Sequence, residues 1–179
     1  MGNYYGGKSR RGCPVDFFSR VPTAVGAPLS PSPSPREGFF APDFTLDTLD
    51  GGRSTLTELR GKIVVVNFWT TWCPPCREET PALEASYKAF KDSDVIIIGL
   101  NLTDQDTLKE VGAFAEEFGL TYPIFLDRDG SVGLAYQING LPTTFFINRE
   151  GIIRMVVVGG PMSETYVRSK IEVLLKEVK

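Results

Sequence analysis

Two cysteines, Cys73 and Cys76, are separated by two prolines and are the residues of this chain best suited to chemistry. They follow a β-branched apolar run, residues 63–66, which is typical of a strand buried on both faces. A helical pattern comes next, and proline fits the first helical positions because its missing N–H would have no partner there. This order predicts that Cys73 lies at a helix N-terminus, where unpaired N–H groups favour an anion such as a thiolate.

That position predicts a division of roles between the two cysteines. A free cysteine has a pKa near about 8.5, and Cys-x-x-Cys motifs at helix N-termini lower it to roughly 3.5–7.5. We therefore predict that Cys73 is the attacking thiolate and that Cys76 is the resolving thiol. Because Pro74 and Pro75 have no N–H, the amide of Cys76 is the first that can point at the Cys73 sulfur. Arg77 adds a cation close by in the sequence.

A cysteine pair of this spacing also occurs in zinc sites and in structural disulfides. The chain contains no histidine and only one further cysteine, Cys13, so the four ligands of a zinc site are not available. A structural disulfide across two residues would close too small a loop to add much stability. A redox-active pair is favoured over both, and we expect no metal and no other cofactor.

Residues 67–79, NFWTTWCPPCREE, resemble the active-site segment of the TlpA/ResA-like thiol–disulfide oxidoreductases within the thioredoxin superfamily. The resemblance extends over about residues 39–178. It implies an α/β, thioredoxin-like three-layer fold with an N-terminal β-hairpin and a central helix–strand insertion. It also implies that the Cys73–Cys76 dithiol exchanges with disulfides of protein substrates, as a reductant in cytochrome c maturation or in general disulfide reduction.

The resemblance and the composition together indicate partners and a compartment. The implied partners are protein thiols and disulfides, apocytochrome c among them, and an upstream thiol reductant; we expect a monomer. A net charge of −3 does not indicate binding to nucleic acid. Proteins of the group are commonly exported and membrane-anchored, which implies an extracytoplasmic position. The sequence shows neither a signal-peptide pattern nor a membrane-spanning stretch, so a cytoplasmic position is the alternative.

The chain divides into two regions of different composition. Residues 1–38 are rich in glycine, proline and serine without helical or strand periodicity, which predicts a disordered tail. Residues 39–179 suit one domain with a sizeable core. In that domain we predict a helix over residues 104–118 whose acids form a solvated face rather than a metal site. These acids are Asp104, Asp106, Glu110, Glu116 and Glu117.

Leu141 and Pro142 are the first residues of a predicted strand over residues 141–148. Base rates alone favour a trans bond before Pro142. The resemblance implies the opposite, a cis-proline loop that faces the two cysteines. Such a loop would expose the Leu141 backbone, so that an extended substrate could pair beside Cys73. The predicted substrate-binding residues are Trp72, Pro74, Pro75, Leu141 and Pro142.

Glu79 is the candidate proton acceptor. Thioredoxins carry a buried aspartate six residues before the first cysteine, where this chain has Asn67, which cannot ionise. Glu79 lies three residues after Cys76 and matches the acidic residue of the ResA-like motif. We predict that burial raises the pKa of Glu79 and that its carboxylate takes the Cys76 proton. The alternative is a solvated acid that the helix dipole favours.

Two other function classes stay open beside dithiol–disulfide exchange. A thiol peroxidase of the peroxiredoxin type shares the fold, and Thr70 lies three residues before Cys73 as in the pattern Pro-x-x-x-Thr-x-x-Cys. Val66 occupies the proline position of that pattern, so the match is partial. A redox-inert binding module would require an unreactive Cys73. Because the chain has no histidine, Ser-His-Asp and Cys-His hydrolysis are excluded.

Overall fold

The computed structural model of the chain describes residues 1–2 and 32–177. Most of the predicted disordered tail therefore lies outside the described residues. Residues Pro31–Lys179 form one compact unit. At the start of this unit the amide of Gly38 donates to the carbonyl of Ile153 at 2.8 Å, and the Glu37 carboxylate accepts from the Val156 amide at 3.0 Å. Residues 37 and 38 are thus attached to the edge of the domain.

A mixed seven-stranded sheet forms the middle layer of the described residues. Its strands are β1 (Thr45–Thr48), β2 (Arg53–Thr55), β3 (Ile63–Trp69), β4 (Val95–Asn101), β5 (Ile124–Leu126), β6 (Thr143–Ile147) and β7 (Ile153–Val158). The order across the sheet is β2-β1-β5-β4-β3-β6-β7. β3 is central, because it pairs parallel with β4 and antiparallel with β6. β1 and β2 form the predicted N-terminal hairpin.

Helices cover both faces of the sheet. They are α1 (Pro74–Ala89), α2 (Leu108–Phe118), α3 (Ser131–Ala135) and α4 (Glu164–Leu175). Leu83 of α1, Phe114 of α2 and Ile171 of α4 belong to one buried cluster, whereas Val132 of α3 belongs to the other. The predicted three-layer thioredoxin-like architecture is therefore confirmed. No helix of the described ranges is both long and apolar enough to cross a bilayer.

The sequence of β3 explains its central place. All seven of its residues are buried. Ile63 and Val65 contribute to the cluster with α1, and Val64 and Val66 contribute to the cluster with α3, as the alternation of a strand requires. Burying an aliphatic side chain of this size contributes about 1.5–3 kcal/mol, so this strand is fixed from both faces. The loop that follows β3 therefore starts from a rigid position.

The predicted helix–strand insertion is present as α2 and β5, but its helix begins later than predicted. α2 starts at Leu108, and Thr107 caps it by accepting from the Glu110 amide while the Glu110 side chain accepts from the Thr107 amide. The prediction that Asp104 and Asp106 belong to this helix is wrong. The other three predicted acids of the solvated face, Glu110, Glu116 and Glu117, are exposed.

Candidate active site

The cysteine pair lies at the junction of β3 and α1. Cys73 is the N-cap residue of α1, and Pro74 and Pro75 occupy its first two positions. A disulfide joins Cys73 to Cys76, with their Cα atoms 5.3 Å apart. The Cys76 amide donates to the Cys73 sulfur at 3.3 Å, as the two prolines without an N–H lead one to expect. Both cysteines are almost fully buried.

The charge of Arg77 is engaged away from the N-terminus of α1. Its guanidinium lies over the rings of Phe114 and Phe118, 5.2 and 5.1 Å from their centres, and pairs with Glu117. Arg77 therefore joins α1 to α2. The groups left to stabilise a Cys73 thiolate are the amide of Cys76 and the dipole of α1.

Asp106 ties the loop before Cys73 to the end of β4. Its carboxylate accepts from the Thr71 amide at 2.8 Å, from the Thr71 hydroxyl at 2.6 Å and from the buried Asn101 amide group at 2.7 Å. Beside it, the Trp72 indole N–H donates to the Gln105 carbonyl at 3.2 Å. Sequence analysis missed this role because it assigned Asp106 to the solvated face of a helix. The capping-box pattern of Thr107 and Glu110 was the available signal that the helix starts after Asp106.

We expect Asp106→Ala to lower the free energy of unfolding by about 1–3 kcal/mol, because it leaves the Thr71 amide without its acceptor. Insulin-disulfide reduction by this variant should also slow, because the loop that carries Trp72 and Cys73 loses its hydrogen bonds to Asp106. Urea denaturation and a turbidity assay measure the two effects. Glu116→Ala, which removes an exposed acid of α2, should match the parent in both. An Asp106→Ala protein of parental stability would contradict the role.

Glu79 is buried on α1, with 1 % of its surface exposed. Asn67 donates to its Oε1 at 2.8 Å and the Met162 amide donates to its Oε2 at 3.0 Å. Asn67 also donates to the hydroxyl of Thr144 at 2.8 Å, which fixes the orientation of its amide. Burial raises the pKa of Glu79 to about 7, against the lowering effect of its two hydrogen bonds. The side chain is therefore not the solvated acid of the alternative interpretation.

The position of Glu79 on α1 relates it to Cys76. Residues three apart on a helix lie on neighbouring parts of one face, so Glu79 lies on the same side of α1 as Cys76. Cys76 is 1 % exposed, so bulk water has little access to its sulfur. The site thus combines a buried cysteine sulfur with a buried carboxyl whose pKa is raised to about 7.

The loop between β7 and α4 contacts both Glu79 and Pro142. Its Gly159 amide donates to the Pro142 carbonyl at 2.8 Å, and its Met162 amide donates to Glu79. A Cβ atom on Gly160 would lie 2.7 Å from Glu79 Oε2 and 2.8 Å from Pro142 Cγ. Any larger residue at position 160 must therefore displace Glu79 or Pro142. Sequence analysis missed this loop, although Gly-Gly-Pro is a turn signal.

We expect Gly160→Ala to destabilise the protein by about 1–3 kcal/mol, because the added methyl group must displace Glu79 or Pro142. The pH dependence of disulfide reduction should shift as well, since the Glu79 carboxyl loses its present environment. Thermal unfolding and a pH–rate profile measure the two effects. Gly112→Ala is the matched control: a Cβ on this α2 residue meets open space, so it should be neutral or slightly stabilising. Equal behaviour of the two variants would refute the packing argument.

Four of the five predicted substrate-binding residues lie together beside Cys73. Trp72, Cys73, Pro74, Pro75 and Leu141 line a hollow of about 410 Å³, the cysteine hollow. The Leu141–Pro142 bond is cis, as the resemblance implied. Pro142 itself is buried behind Leu141 and does not line the hollow. Trp72 is 58 % exposed, so its ring forms part of the surface beside Cys73.

Comparison with known proteins assigns the chain to a family. Residues 38–156 match the AhpC/TSA family. The ResA thiol–disulfide oxidoreductase of Geobacillus kaustophilus is 39% identical over 142 residues, which are 79% of this chain and 78% of that protein. The chain belongs to the AhpC/TSA family, among its ResA-like thiol–disulfide oxidoreductases. The predicted resemblance is therefore confirmed, and the protein is an enzyme of thiol–disulfide exchange.

Two further relatives agree with this assignment. The thioredoxin-like protein YneN of Bacillus subtilis is 41% identical over 125 residues, 69% of this chain and 72% of its own length. The crystal structure of a thioredoxin-family thiol:disulfide interchange protein from Chlorobium tepidum superimposes with a TM-score of 0.70 at 29% identity. The superposition includes 80% of this oxidoreductase and 97% of the Chlorobium chain. These relatives support the peroxidase alternative less well than they support thiol–disulfide exchange. Thr70, on which it rested, is buried and does not line the cysteine hollow.

Proposed function

We propose that this oxidoreductase reduces disulfides of protein substrates, with Cys73 as the nucleophile and Cys76 as the resolving thiol. The Cys73 thiolate attacks one sulfur of the substrate disulfide, forms a mixed disulfide and releases the other sulfur as a thiolate, which takes up a proton. Cys76, once deprotonated, attacks the Cys73 sulfur, closes the Cys73–Cys76 disulfide and releases the second substrate thiolate. Two electrons pass to the substrate, and an upstream thiol reductant must return them.

One observation carries this proposal more than any other: the Cys73 sulfur lies at the N-cap of α1 and accepts the amide of Cys76. The amide hydrogen bond and the helix dipole together stabilise negative charge on the Cys73 sulfur. The cysteine at the N-cap attacks, and the one a turn further into α1 resolves. Cys73 is also the cysteine that lines the hollow.

Glu79 is proposed to accept the Cys76 proton during the resolving step. A group with a pKa of about 7 is partly ionised at neutral pH and so is able both to take up and to release a proton there. Its ordinary solvated counterpart would be a much weaker base. The donors Asn67 and Met162 hold both carboxyl oxygens in place, so that the carboxyl needs little reorganisation as it titrates.

Leu141 is proposed to bind the substrate backbone beside the disulfide, with Trp72, Pro74 and Pro75 facing it across the hollow. No hydrogen bond joins the Leu141 amide or carbonyl to another residue of the described ranges. An extended segment can pair with such free backbone groups as an added strand would. Pro142 is proposed to fix the position of Leu141, because the Gly159 amide donates to the Pro142 carbonyl.

We extend the proposal to the cellular setting on the resemblance to the ResA-like group. Apocytochrome c is proposed as one protein substrate, and the enzyme is proposed to act outside the cytoplasm as a monomer without a metal or other cofactor. Within the described ranges, no cluster of three or more His, Cys, Asp or Glu side chains could hold a metal ion.

Parallel assays of the two redox activities test the proposed function. The reduced full-length chain should reduce insulin disulfides catalytically in the presence of dithiothreitol. It should consume hydrogen peroxide no faster than dithiothreitol alone does. Peroxide consumption without insulin reduction would overturn the proposal in favour of a thiol peroxidase. Failure of both reactions, with Cys73 unreactive toward iodoacetamide, would point to a redox-inert binding module.

A further inference from the structure

A second hollow continues the cysteine hollow along α3. It measures about 250 Å³ and shares Leu102, Gln105, Ile138 and Asn139 with the first. The two hollows are therefore adjacent, and together they are called the α3 groove, which extends from Cys73 to Leu134 between α3 and residues 102–105. The second hollow is thus within reach of a polypeptide that is bonded to Cys73.

Leu134 lies at the far end of the α3 groove with 80 % of its surface exposed. Among residues 32–177 it is the most exposed large apolar side chain. The helix beneath it is firmly seated, because Val132 is buried and a Cβ atom on Gly133 would lie 2.9 Å from the Leu102 side chain. Leu134 is thus an apolar group held out to solvent by a rigid base. Covering such a group with apolar atoms of a partner removes it from water and favours binding.

Asp104 gives the α3 groove a charge. It is the one charged residue that lines either hollow. It is exposed and forms no ion pair within the described part of the chain. A Cβ atom on Gly130 would lie 2.9 Å from its Oδ2, so the carboxylate is packed against the chain just before α3. A positively charged side chain in the groove would therefore be attracted to it.

We propose that the α3 groove is a second subsite for the extended polypeptide of the protein substrate. It accepts an apolar side chain against Leu134 and a lysine or arginine beside Asp104, both on one side of the substrate cysteine. The inference rests on the proposed function, because the substrate cysteine must reach Cys73. It adds a sequence preference that contacts at the disulfide alone would not produce.

Synthetic peptides test the α3 groove. Each peptide carries a single cysteine as a mixed disulfide with thionitrobenzoate, in a glycine–serine background, with one leucine moved through successive positions on either side. Attack by reduced Cys73 releases the coloured thiolate, and each rate is divided by the rate with the small disulfide DTNB. The parent should prefer leucine at one position on one side of the cysteine. In Leu134→Ser that preference should fall roughly tenfold.

Val173→Ser is the matched control, since Val173 is 54 % exposed on α4 and lines neither hollow. It should keep the parental ratio. Asp104→Asn should selectively reduce the advantage of a peptide with an added lysine. A parent without positional preference, or a Leu134→Ser variant with the parental ratio, would overturn the second subsite and leave the proposed function intact. A parent that reacts with no peptide would instead refute the proposed function.

Discussion

Replacing Cys73 by serine is expected to slow insulin-disulfide reduction by roughly 10³-fold or more, because a serine hydroxyl neither ionises near neutrality nor forms a disulfide. Serine is close in size to cysteine, so it should fit this buried position and leave the fold intact. The rate is measured with purified variants under dithiothreitol. Cys13→Ser removes the third cysteine of the chain and should keep the parental rate.

The Cys76→Ser variant separates attack from resolution. Cys73 should still attack the substrate, and without the resolving thiol the mixed disulfide should accumulate. Non-reducing electrophoresis followed by mass spectrometry identifies the adduct and its cysteine. If Cys73→Ser trapped the adduct through Cys76 instead, the assignment of the two roles would be reversed.

Replacing Glu79 by glutamine is expected to slow the resolving step by about 10²-fold at neutral pH, the usual contribution of a positioned general base. In the parent this step should accelerate as pH rises through about 7, where the Glu79 carboxyl ionises. The variant should lack that rise. Stopped-flow measurement of mixed-disulfide decay across pH shows both effects.

A double variant controls for the altered hydrogen bonding. Asn67 donates to Glu79, so Asn67→Asp combined with Glu79→Gln exchanges donor and acceptor and keeps a buried carboxyl in the same layer. It should recover a pH-dependent resolving step that Glu79→Gln alone lacks. A Glu79→Gln protein with the parental pH profile would exclude Glu79 as the proton acceptor.

The raised pKa of Glu79 also predicts how stability depends on pH. The carboxyl binds its proton more tightly in the folded chain, at about 7, than at its ordinary value of 4.5. Its stabilising contribution is therefore fully present below pH 4.5 and is lost as pH rises through 7. Relative to Glu79→Gln, the parent should lose about 3 kcal/mol of unfolding free energy between pH 4 and pH 8. Urea denaturation of both oxidised proteins measures this difference.

The central strand and the first helix were predictable because their signals are local. The β-branched residues 63–66 alternate between two cores, and two prolines mark the first turn of α1. The closing helix was predictable for the same reason: Ser163 caps α4 by accepting from the Tyr166 amide. The cis bond before Pro142 followed from the resemblance and not from the residues, whose base rate favours trans.

The contacts that position the site were not predictable, because they join distant parts of the chain. Asp106 and Thr71 are 35 residues apart, and Met162 and Glu79 are 83 apart. No periodicity or spacing encodes such a pair. The position of Glu79 after Cys76 and the resemblance to the ResA-like motif made it a candidate base. The extent of its burial depends on the loop between β7 and α4, whose Met162 amide contacts its carboxylate. The sequence thus yields candidates for the reacting groups, and the fold determines their environment.

The pKa of the reduced Cys73 thiol tests most directly whether α1 activates this sulfur. It is measured from the pH dependence of iodoacetamide alkylation in Cys76→Ser with Cys13 also replaced by serine, so that Cys73 is the one thiol present. The amide at position 76 and the helix dipole remain in this variant. We predict a midpoint within roughly 3.5–7.5, and a midpoint at about 8.5 or above would contradict the account.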